Sequence, residues 1–103
     1  MQKIIDQSIE IASNQFKSFG FKDEQILPLT QSGRKDLTAE LLNLQTLLSS
    51  NDIDRDAVDL SIHAIKGLVS TMGNKDLARE ISAIHSEEDS TLNIDGIKAL
   101  LGV

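Results

Sequence analysis

The chain has 103 residues, 40% of them apolar, which fits one folded domain spanning 1–103 and excludes both a second independent core and the disordered class. Sixteen acids against ten bases give a net charge of -6, which works against holding nucleic acid or an anionic membrane, since both are bound mainly by Lys and Arg. The absence of cysteine excludes a disulfide framework, a thiolate nucleophile and a zinc–thiolate site.

The first residues, Met1 to Asp6, meet an acid before any long apolar run, and no apolar stretch approaches the length that spans a bilayer. A cytoplasmic protein is expected. Leu and Ile dominate over β-branched Val and the aromatics, which favours helix. Ile5, Ile9, Ala12, Phe16 and Phe19 recur at steps of four and three, predicting a first helix ended by Gly20. A short turn is expected from Asp23 to Leu27, stopped by Pro28, followed by a loop over Thr30-Gln31-Ser32-Gly33 in which Ser32 caps the next helix. Leu37, Leu41, Leu44 and Leu48 mark that second helix, closed by Ser49-Ser50-Asn51-Asp52. Val58, Ile62, Ile65, Val69 and Met72 mark a third, opening near Asp54; Gly73-Asn74 ends it and caps a fourth carrying Leu77, Ile81 and Ile84. The polar stretch Ser86–Thr91 predicts a loop, and Ile94, Ile97 and Leu101 a last short helix ending at Gly102. Four amphipathic stripes with short connections predict an all-α protein, an antiparallel four-helix bundle with a short additional C-terminal helix.

The third helix carries the feature that needs explaining. At 100° per residue His63 falls roughly 140° from the centre of the core stripe, on the exposed face. Asp56, Asp59, Lys66, Gly67 and Ser70 share that face, and Leu60 stands beside them with its apolar side chain towards water. Leu60, Asp59 and Ser70 are therefore candidates for a partner-docking surface. Gly67 costs about 1 kcal/mol relative to alanine inside a helix, and its missing side chain clears space beside the imidazole one turn away. Lys66 puts a flexible cation next to any anion the imidazole carries. Together these residues read as a histidine presented for phosphorylation.

The run His63-Ala64-Ile65-Lys66-Gly67, with Gly73 and Leu77 following in register, resembles the signature of histidine-containing phosphotransfer (HPt) domains, the helical-bundle intermediates of bacterial-type phosphorelays. The resemblance runs from about Arg34 to His85. It implies that His63 accepts a phosphoryl group on its distal ring nitrogen from an aspartyl phosphate of a response-regulator receiver domain and passes it on reversibly, with Lys66 and Gly67 completing the site. It also implies that the chain binds no cofactor, that Mg²⁺ sits on the receiver, and that a monomer works as phosphocarrier without an active site of its own and without kinase activity. In-line positioning and charge neutralisation carry most of phosphoryl transfer, so an exposed imidazole beside a lysine suffices as a carrier. The sequence departs from the family pattern at Leu68, where small residues are usual, and at His85, where the chemotaxis-kinase version has a glutamate that hydrogen-bonds the phosphorylated ring.

Other chemistries fit less well. A calcium loop starting at Asp52 needs Gly and Glu where Ala57 and His63 stand, so these acids are better placed to cap the third helix against its dipole. His63 and His85 make only two ligands, short of a zinc site. Asp59, one turn before His63, is a candidate for tuning its imidazole. Two alternatives share the fold: the phosphoacceptor domain of a larger hybrid sensor or chemotaxis histidine kinase, and a bundle-shaped adaptor that carries no phosphate.

Overall fold

The computed structural model describes residues 1–86 and 92–103. Its five helices are α1 (Gln2–Ser18), α2 (Asp23–Leu48), α3 (Arg55–Thr71), α4 (Lys75–Ile84) and α5 (Ile94–Leu101), with no strand among the described residues. The protein is all-α. Each helix buries its stripe against its neighbour in sequence: α1 on α2, α2 on α3, α3 on α4 and α4 on α5. Leu37, Leu41 and Leu44 of α2 meet Val58, Ile65 and Val69 of α3 in a fully buried core, which Ile5, Ile81, Ile97 and Leu101 extend. The result is an elongated body of 46 × 22 × 19 Å. Among the described residues, no helix is long and apolar enough to cross a membrane. The loop expected over Ser86–Thr91 lies, beyond Ser86, outside the described residues.

One expectation fails. The turn before Pro28 and the loop over Thr30–Gly33 do not exist as such, and Ser32 caps nothing: α2 runs unbroken from Asp23, with Pro28 inside it. The helix starts where Gln25 Oε1 accepts the Lys22 backbone N–H at 2.9 Å and where Asp23 and Glu24 meet the positive end of the dipole. Pro28, the sixth residue of the helix, forfeits the hydrogen bond to the Glu24 carbonyl just beyond the first turn, a loss that propensity alone would not tolerate. What carries the helix through is packing. Ile26 and Thr30 lie buried at helical spacing ahead of Leu37, and the Thr30 hydroxyl donates to the Ile26 carbonyl at 3.1 Å, so a residue read as polar loop serves the core. Gly33 lies under the end of the Met72 side chain. A Cβ there would stand 2.8 Å from Met72 Cε, so an added side chain would require the flexible end of Met72 to shift.

Helices α1 and α3 end alike. Gly20 and Gly73 take positive φ, and the following amides of Phe21 and Asn74 reach back to the Phe16 and Val69 carbonyls at 3.0 and 2.8 Å, the bonding of a Schellman cap. Stacking of Phe21 on Phe16, with ring centroids 5.4 Å apart, supplies the accompanying apolar contact. Near the start of α1, Arg34 donates to Asp6 at 2.9 Å and holds that exposed carboxyl below the usual carboxylate range, with Gln2 assisting.

Asn74 has two duties. Its Oδ1 accepts the Leu77 N–H at 3.3 Å, capping α4, while its Nδ2 donates to the hydroxyl of Ser8 on α1 at 3.1 Å. Both residues are buried. Asn74→Ala removes the cap and leaves a buried hydroxyl without its donor, so a loss of about 2 kcal/mol is expected, read as a lower midpoint in urea with unchanged slope. A midpoint within error of the wild type would mean that the cap and the α1 link carry no net stability.

Candidate functional site

His63 is exposed on α3, as the 100° projection requires, and the Val58–Met72 stripe beneath it is buried. Asp54 begins this helix by accepting the Ala57 N–H at 3.2 Å, and Asp56 lies in the first turn. Of the acids in the 52–56 stretch, Asp54 and Asp56 thus serve the start of α3.

The imidazole stands on a crest with depressions on either side. Towards α4 lies an open groove of about 480 Å³, lined by His63, Lys66, Gly67 and Ser70 together with Lys75 and Arg79 of α4. Towards α1 and α2 lies a larger cleft of about 750 Å³, in which His63 and Gly67 face Phe16, Phe19 and Leu29. Gly67 belongs to both walls, and a Cβ built on it would find nothing within 4 Å. The helix therefore does not need glycine for packing at this position. Lys66 is half-buried and Ser70 likewise, whereas Leu60 is 72% exposed.

Asp59, expected on the exposed face of α3, is largely covered by its partners. Its carboxylate is only 18% exposed, and Oδ1 receives Arg55 Nε at 2.9 Å, one turn away on α3. The same oxygen lies 2.7 Å from His85 Nε2 at the end of α4. That contact is close enough for an ion pair, but Nε2 makes no well-aligned hydrogen bond, so its strength is electrostatic and depends on a protonated ring. Arg55 also donates to the Ser86 carbonyl at 3.2 Å. This cluster ties the first turns of α3 to the end of α4. His85, which caps the end of α4, has a side chain only 4% exposed. It lines a third depression shared by His63, Lys66 and Ser82.

The residues singled out in the sequence as His63, Lys66, Gly67 and Ser70 thus share one groove, with Leu60 exposed on the same helix and Asp59 engaged at its base. Lys75, Arg79 and Ser82 of α4 were not foreseen. Their spacing of four and three places them on one face of that helix, which was the available signal, but only the packing of α4 on α3 brings that face beside His63. Among the described residues, no group of three or more His, Cys, Asp or Glu side chains is arranged to hold a metal ion. No protein-family model, curated protein or solved structure matches this chain.

Proposed function

We propose that this chain is a histidine phosphotransfer domain: an antiparallel four-helix bundle, closed by α5, that accepts a phosphoryl group on His63 from an aspartyl phosphate of a receiver domain and returns or forwards it. The observation that carries the reading is the exposed imidazole on the crest of α3, with Lys66 one turn away and clear space at Gly67. In the transfer, a ring nitrogen donates its lone pair to phosphorus as the P–O bond to the partner's carboxylate breaks. The carboxylate leaves with that electron pair. Mg²⁺ and the groups that activate the acyl phosphate belong to the partner, while this chain supplies the nucleophile, access to it and a neutralising cation. The wide openings around His63 suit docking by a protein surface better than enclosure of a small substrate. The setting is cytoplasmic, and a hybrid histidine kinase is the expected upstream source of the phosphoryl group.

The test is incubation with a receiver charged by acetyl phosphate and Mg²⁺. Label should appear on this chain, survive alkali, be lost in acid and map to His63. Acid-stable label, or label mapped to another residue, overturns the reading.

Lys66 is placed to stabilise the moving charge. Lys66→Ala is expected to slow transfer about 10- to 100-fold and to change stability by less than about 0.5 kcal/mol, as surface substitutions do. Stopped-flow transfer and thermal melts read the two effects separately. A large fall in melting temperature with normal transfer would make Lys66 a residue of the fold instead.

A further inference from the structure

The groove between α3 and α4 is basic in an acidic protein. The chain has 16 acids and 10 bases, yet Lys66, Lys75 and Arg79 all line this one groove with His63, and among the described residues no Asp or Glu lines it. Lys66 and Lys75 have no ion-pair partner among the described residues, while Arg79 bonds Asp76 at 2.6 Å with both side chains largely exposed. Such an exposed pair is screened by water and salt, leaving the guanidinium able to exchange partners. The hydroxyls of Ser70 and Ser82 complete the polar lining.

We propose that this groove docks the acidic protein face that carries the phosphoryl group, and that its charge steers that face onto His63. The inference rests on the phosphoacceptor reading of His63 and adds the chemistry of the partner. A phosphorylated carboxylate brings negative charge to the interface, and the carboxylates that hold its divalent cation add more. A net charge of -6 disfavours such a face on average, whereas the groove gathers three of the ten bases beside His63, which favours orientations that present His63. Local complementarity against a repulsive background selects orientation as well as rate. A nucleic acid is a poorer occupant, because three cations neutralise few phosphates and the rest of the chain repels the polymer.

The experiment measures the second-order rate constant of transfer from acetyl phosphate-charged receiver domains over a range of salt, for the wild type, for Lys75→Glu with Arg79→Glu, and for a charge-matched control, Lys3→Glu with Lys98→Glu. Lys3 and Lys98 are exposed and line none of the depressions around His63. At low salt the groove pair should transfer roughly 10- to 100-fold more slowly than the wild type and the control less than about threefold more slowly, with the salt dependence of the wild type flattened only in the groove pair. Lys75→Gln with Arg79→Gln should fall between, which guards against a reversal that disturbs α4. A groove pair as fast as the wild type, equal slowing in both charge-reversed pairs, or a wild-type rate indifferent to salt overturns the proposal. Phosphoramidate, which transfers its phosphoryl group to imidazole with loss of ammonia, separates the two levels in the wild type. Label on His63 from phosphoramidate without transfer from any receiver overturns the docking inference alone. No label on His63 from either donor overturns the phosphoacceptor reading and this inference together.

Discussion

His63→Gln is expected to abolish labelling by a charged receiver while leaving the melting temperature within a few degrees of the wild type. Glutamine keeps a polar side chain of similar reach but has no ring nitrogen with a free lone pair, so the P–N bond cannot form. The loss should be complete to the limit of detection, because the other polar side chains lining the groove, Lys66, Ser70, Lys75, Arg79 and Ser82, are ammonium, guanidinium or hydroxyl groups, weaker nucleophiles than an imidazole at neutral pH. The fold should be indifferent. His63 projects from the exposed side of α3, opposite Val58, Ile65 and Val69, whose burial holds the helix in place, and surface substitutions away from such contacts usually move stability by less than about 0.5 kcal/mol. Residual label in His63→Gln at more than a few per cent of wild type would transfer the acceptor role to another residue. His85 would be the first to test, since it shares a depression with His63.

The sequence was most legible where one physical cause acted alone. In α3 the apolar period is complete and the cap is an aspartate with a free amide three residues on, so both the start of the helix and the exposed direction of His63 followed from spacing. The end of α3 was equally plain because a positive-φ turn selects glycine, and Gly73 stands there. The first half of α2 was illegible because local and tertiary causes opposed each other. Pro28, Thr30 and Gly33 each argue against helix by propensity, yet Ile26 and Thr30 are buried and Gly33 is where Met72 closes in; packing outweighed propensity. The same limit applies to the site. The α3 residues were visible because they share one helix, whereas the contribution of α4 depended on which side of α3 it packs against. Asp59 shows the limit most sharply. A projection that puts it near His63 says nothing of Arg55 and His85, which converge on its carboxylate from one turn away and from the next helix.

Gly67 is where folding and function make opposite demands, and its substitution separates them. The position is helical, exposed and open, with nothing within 4 Å of an added Cβ. Gly67→Ala should therefore stabilise the protein by roughly 0.5–1 kcal/mol, since alanine restricts the unfolded chain and favours helix. Gly67→Gln should gain part of that stability, because glutamine is also a good helix former and its Cβ meets no neighbour. Its side chain, however, rises from the wall that both the α4 groove and the larger apolar cleft share with His63. A partner surface has to approach there for the phosphorus to come in line with the ring nitrogen, and a misplacement of about 1 Å costs on the order of 100-fold in rate. Transfer from a receiver should therefore fall on the order of 100-fold in Gly67→Gln, whereas labelling by phosphoramidate, small enough to pass the new side chain, should fall far less. Unfolding of Gly67→Gln would contradict the open position of this glycine, and unchanged transfer would move the docking surface away from this part of α3. A stabilised protein that has lost its partner but still takes phosphoryl from a small donor is the combination expected if this glycine serves access rather than packing.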